Sequence, residues 1–312
     1  MDEAWADLLA GHRLARHVSR TPIVVDGMIS IAMEAILLPS QMVLIHDGEP
    51  APEQIAQMLE DLGMLRSPCA MGERINTGGR FKTLDSVAYL SRQMTSELEE
   101  LGLSRDSEMD RKVLTLAGRT AVDWDEILRI TNAYYDRLQK ALDQPSFLAR
   151  REAVTAIHAA MEAERDQVRG FARVARSFVA FRSPKKTLAI PIANILVALL
   201  SPATDDVLVS EGGAIARRGM LLIALGAAAY RAEYGVYPES LDGIGDYLPQ
   251  LPVDPFSERS FQYRLEGDGF VLHSVGSNGK DEQGQNGDIG GSSPADDIGL
   301  YVPPMPPCPQ ED

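Results

Sequence analysis

Cysteine is almost missing from this chain: Cys69 and Cys308 are the only two in 312 residues. Two thiols cannot build a disulfide framework or a four-cysteine metal site, so both are read as free thiols with no shared role. Positive charge is also short. Lys and Arg number 30 against 45 Asp and Glu, a formal net charge of −15. A surface of that sign repels phosphate backbones and anionic headgroups, which argues against nucleic acid as a partner and favours cations or basic patches on proteins. Long apolar runs are scarce too. The longest, from Leu188 to Leu200, is interrupted by Pro191 and Asn194 and is too short to span a bilayer. The first residues are acidic (Asp2, Glu3), unlike the basic-then-apolar start of a secretory signal peptide.

Catalytic motifs are missing as well. There is no Gly-x-Ser-x-Gly elbow to anchor a hydrolase triad. The five histidines (His12, His17, His46, His158 and His273) are scattered, and none stands at metal-ligand spacing from another histidine or a cysteine. Ser277 to Lys280 looks like the end of a P-loop, but Ser274 stands where its upstream glycine belongs and Asp281 follows the lysine. No catalytic residue and no organic cofactor site is assigned, and the chain reads as non-enzymatic. Glu34 lies in an apolar helical pattern. It is read as pointing to solvent or pairing with an arginine such as Arg13 or Arg16; burial would raise its pKa and let it serve as an acid or base. Tyr134, Tyr135 and Arg137 read as the core and rim of a helix.

Helical periodicity fills the first two-thirds of the chain. Residues 4–18 predict an amphipathic helix, and 23–46 a strongly apolar one that Pro39 should kink or end. Further helices are predicted over 52–64, 84–102, 124–142 (capped by Asp123), 147–181 and 187–200. Residues 65–82, with Gly78-Gly79-Arg80, read as irregular. The last third changes period. A helix over 211–234 stops at Gly235, and Phe261–Leu265 and Phe270–Val275 alternate like strands around the Asp268-Gly269 turn signal. Phe256, Tyr263, Leu265, Val271 and Val275 should face that helix. The expected class is α+β: an irregular α-helical domain over 1–205, a long helix packed on a small antiparallel sheet over 206–302, and a Pro-rich unstructured tail over 303–312.

Ligand-like oxygens accumulate in one place. Ser274, Ser277, Asn278, Asp281, Glu282, Asn286, Asp288, Asp296 and Asp297 are interleaved with glycines between the last strand pattern and Leu300. Such a loop can supply the six to eight oxygens that calcium takes, whereas nitrogen and sulfur ligands for a transition metal are missing. No EF-hand spacing occurs.

Four pieces in order carry a family resemblance: Tyr234 to Pro238 at the helix exit, Leu251 to Phe256, the Tyr263-Arg264 strand, and Ser274 to Asp281. Together they resemble the C-terminal domain of the major pseudopilin of type II secretion systems, over about residues 215–302. That resemblance implies a calcium ion in the final loop. Ser274 matches the family's strand-end serine, and either Asp288 or Asp297 matches the later acidic position. The candidate metal set is Ser274, Asn278, Asp281, Asp288, Asp296 and Asp297. The family's membrane helix and prepilin cleavage motif are not in this sequence, so any membrane attachment is expected through a segment absent from it.

The sequence thus leads to a structural or interaction protein of the cell envelope, outside the cytoplasm, with protein partners such as envelope or secretion components. The rival reading is an α-helical ligand-binding or catalytic domain with the C-terminal module as an accessory. A polar-lined cavity reaching Glu34 or Arg80 would separate the two.

Overall fold

A computed structural model describes residues 1–67, 70–93, 123–175, 184–200, 204–285 and 296–304. Cys69, Cys308, Asp288, the Glu97–Glu100 cluster and the tail from residue 305 lie outside the described residues.

Helix α1 (Asp2–Val18) has acidic residues in its first turn and Arg16 and His17 in its last, as the helix dipole favours. It buries Trp5, Leu9, His12, Ala15 and Arg16. It turns back into α2 (Val24–His46). The fully buried Arg74 holds that turn by donating to the backbone carbonyls of Ser19, Thr21 and Ile23. Helix α2 continues past Pro39 rather than ending there. Gln41, Met42 and Ile45 are buried beyond the proline, and their packing offsets the roughly 3 kcal/mol that an interior proline costs. Helix α3 (Pro52–Met64) starts on proline and buries Ile55, Met58 and Leu62. Trp5 Nε1 donates to Asp61 Oδ2 at 2.8 Å, tying α1 to α3.

Of the segment expected to be irregular, residues 71–82 are helical. Helix α4 (Met71–Arg74) passes through a π-helical turn (Ile75–Gly79) into α5 (Arg80–Gln93). The wider turn brings the backbone of Gly78 against the α1–α2 corner, where a Cβ would sit 2.1 Å from the carbonyl oxygen of Pro22. Glycine is needed there for space. Helix α6 (Trp124–Leu142) is capped as expected: Asp123 accepts from the Glu126 N–H at 3.0 Å. Helices α7 (Phe147–Ala175) and α8 (Pro184–Leu200) follow. A small core of Val87, Leu90, Ile127, Ile192 and Leu196 joins α5, α6 and α8.

The main core is built around α9 (Thr204–Tyr234), which contacts α2, α3, α7 and the sheet. Gly235 at φ +80° ends it as read from the sequence, donating to Arg231 O at 2.7 Å. The sheet is antiparallel and three-stranded, in the order β1 (Gln262–Glu266), β2 (Gly269–Ser274), β3 (Ile298–Val302). Helices plus a small antiparallel sheet make the class α+β.

One expectation about the sheet is overturned in part. Phe256 and Val275 are buried, but Leu265 is 46% exposed at the edge. Phe270 and Leu272 belong to the main core over α9, whereas Val271 lies under the loop that follows β2. All six residues of β2 are buried, so this strand has two covered faces and its alternation cannot reveal which one meets the helix.

By length and composition, α2 and the stretch Ile192–Tyr234 could each cross a membrane. Most of the window in α2 is not buried, and Ile29, Ile36 and Val43 are exposed on it.

Candidate metal site in the loop between the last two strands

The loop leaves β2 at Ser274 and folds back over the sheet face opposite α9. Two bonds fasten it there: Tyr301 Oη donates to Gly284 O at 2.6 Å, and Arg264 Nη1 to Gln283 O at 3.1 Å. Its first turn needs glycine. Gly276 has φ +60°, and a Cβ there would lie 2.1 Å from the carbonyl oxygen of Asp296. The two ends of the loop are thereby pressed together. Asp296 Oδ2 accepts from Ser277 Oγ at 2.6 Å and from the Asn278 N–H at 3.0 Å.

Asp288 lies outside the described residues, and the other five sequence candidates occupy differing environments. Ser274 is fully buried, and its hydroxyl donates to Asp254 Oδ1 at 2.7 Å while the Gly276 N–H donates to it. Asn278 is occupied within the loop, its Nδ2 donating to Glu282 Oε1 at 2.8 Å and its Oδ1 accepting from the Lys280 N–H. Asp281 accepts from His273 Nε2 at 2.9 Å and from the Gln283 N–H at 2.8 Å. The histidine bond above all holds its pKa below the usual carboxylate range. Asp297 is buried and accepts from the Gly284 N–H at 2.7 Å through Oδ2.

Asp281, Asp297 and His273 form one cluster whose donor atoms lie within 4.8 Å of one another. Beside it, Asp297 meets Glu282. Burial raises the pKa of Asp297, and the adjacent Glu282 carboxyl pushes it further the same way. Asp297 Oδ1, Asp296 Oδ1 and Glu282 Oε2 are buried with no hydrogen-bond partner, as is His273 Nδ1. Carboxylate oxygens are strong acceptors, and leaving one buried and unmatched costs about 1–3 kcal/mol. Three in one loop fit the oxygen-rich surroundings of a hard cation.

Sequence reasoning missed three residues. Asp254 anchors the loop's base; it lies in the Leu251–Phe256 turn, where only the tertiary fold brings it to Ser274. Glu282 counted among the loop's oxygens but not among the candidate ligands. His273 alternates with Leu272 and so shares the Val271 face, a signal already present in the strand pattern.

The chain matches no protein-family model, no curated protein and no solved structure.

Proposed function

We propose that this is a non-enzymatic structural or interaction protein of the cell envelope, whose C-terminal module resembles that of the major pseudopilins and binds calcium in the loop between β2 and β3. The observation that carries the reading is the set of buried, unmatched oxygens on Glu282, Asp296 and Asp297. Asp281 and Asp297, whose oxygens lie in one 4.8 Å cluster with His273, would hold the ion, with the Glu282 carboxyl beside Asp297, and calcium would not require the nitrogen. Bound calcium would screen the Glu282–Asp297 repulsion and hold the loop against the sheet. The surface so fixed would face protein partners, consistent with a net charge of −15 and with an extracytoplasmic location where calcium is abundant.

The His273, Asp281 and Asp297 group supplies one nitrogen and two oxygens, which suits zinc or manganese better than calcium. A titration of the metal-stripped protein with calcium, magnesium, manganese and zinc, read by calorimetry and thermal unfolding, distinguishes the two. Calcium selectivity that Glu282→Gln and Asp297→Asn abolish, while His273→Gln retains it, is the expected result. Preference for zinc, lost in His273→Gln, would replace calcium with a transition metal. Absence of any binding up to several millimolar calcium would end the proposal.

A further inference from the structure

A second group of charges lies on the far side of α9, within the helical region. Arg16 in α1 is 8% exposed, and its Nη1 pairs with Glu34 Oε1 in α2 at 2.7 Å. His12 Nδ1 approaches the same oxygen at 3.4 Å. Arg218 in α9 feels both the attraction of Glu34 and the repulsion of Arg16, and its Nη2 donates to Leu62 O at 2.8 Å. Arg16 is the guanidinium that pairs with Glu34, and Arg218 stands within the field of both charges. Arg16 Nε is buried without a hydrogen-bond partner.

Arg16, Glu34 and Arg218 line a cavity of about 400 Å³ between α1, α2, α4 and α9, within the size range of small-molecule sites. The remaining wall is mostly apolar, with Ile31, Leu222 and Pro252 facing the space. The other carboxylate on the wall, Glu211, is already held by the Met71 N–H at 2.9 Å and by Arg150 at 3.4 Å. It does not balance the Arg16–Arg218 pair. The cavity therefore combines the guanidinium donors of buried Arg16 and half-buried Arg218 with an apolar body, and it reaches Glu34, though through a mostly apolar wall rather than the polar-lined one that the ligand-binding reading expects.

We infer that this cavity binds a small amphipathic anion, its acidic head on Arg16 and Arg218 and its hydrocarbon tail along Ile31, Leu222 and Pro252. Guanidinium recognises carboxylate and phosphate through paired donors. A medium-chain carboxylate is the simplest member of the class.

Calorimetric titration of the intact protein with octanoate, octan-1-ol and octyltrimethylammonium tests the assignment. Saturable one-to-one binding of octanoate, at least about tenfold tighter than octanol, is expected from a charge-assisted pair of hydrogen bonds. The cation should not bind. Arg218→Gln should weaken octanoate about tenfold or more while leaving octanol unchanged. Leu222→Trp, which fills the cavity without altering charge, should abolish both. Arg218 is only partly buried, so the first variant keeps its fold, as unchanged far-ultraviolet circular dichroism should verify. Absence of octanoate binding, equal affinity for octanol, or affinity unmoved by both substitutions would overturn the inference. None of these outcomes depends on the calcium loop.

Discussion

At the scale of single residues, two carboxylates, one buried and one half-buried, do structural work that their neighbours in sequence do not announce. Asp254 accepts from the Phe256 N–H, Ser257 Oγ, Ser274 Oγ and the Val275 N–H, so one side chain joins the turn before β1 to the exit of β2. Asp254→Asn puts an amide N–H where a donor already points, and should lower stability by about 1–3 kcal/mol in urea unfolding. Glu34 behaves differently from an isolated buried acid. Burial alone would raise its pKa, but the His12 hydrogen bond and the charge of Arg16 outweigh it, and the net shift is downward. A carboxyl with a lowered folded-state pKa stabilises the fold above its ordinary value of about 4.3, and that contribution disappears as pH falls through the lowered value. Glu34→Gln should cost about 2–3 kcal/mol at neutral pH, discounted from a fully buried pair because Glu34 keeps some exposure. The gap to the parent protein should then narrow below about pH 4, as urea titrations across that range would show.

Among the elements, α9 is defined by a groove. Gly212, Gly219 and Gly226 stand seven residues apart along the helix. A Cβ on Gly212 would meet the rings of Phe147 and Phe256, one on Gly219 would meet Phe261 and Pro252, and one on Gly226 would meet Ile244. Each glycine costs the helix about 1 kcal/mol relative to alanine, and close seating of the C-terminal module offsets it. Gly219→Leu should therefore destabilise by about 1–3 kcal/mol through overpacking. Gly63, near the end of α3, has nothing within 4 Å of an added Cβ, and Gly63→Ala should gain about 0.5 kcal/mol. Opposite shifts in melting temperature for the two variants would confirm that space, not helix propensity, governs the groove.

Across the whole molecule, one core connects the first three helices, α6, α7, α9 and the sheet. Arg151 of α7 also donates to the carbonyl of Ser277 in the acidic loop. A ligand that orders this loop should stabilise far more than the loop. Calcium at a hundredfold excess over its dissociation constant would add about 2.7 kcal/mol by mass action. The rise in midpoint should be the same when followed by helical circular dichroism and by tryptophan fluorescence, Trp5 being buried at the α1–α3 contact. A shift seen by one probe only would mean that the C-terminal module unfolds on its own.

The sequence by itself determined what local chemistry controls. The Asp123 cap, the Gly235 stop and the hairpin between Glu266 and Gly269 follow from residue type and spacing within neighbouring stretches. It also located the loop where buried carboxylates gather. The tertiary structure decided what depends on a distant partner. Helix continued through Pro39 and through 71–79 because packing outweighed weak local preference. Strand β3 could be read only once β2 was there to pair with it, and β2 hid its orientation because both its faces are covered. The unmatched oxygens of Glu282, Asp296 and Asp297 and the guanidiniums around Glu34 share one physical reason for having escaped the sequence. Charge becomes unbalanced only when folding removes water from the groups that carry it.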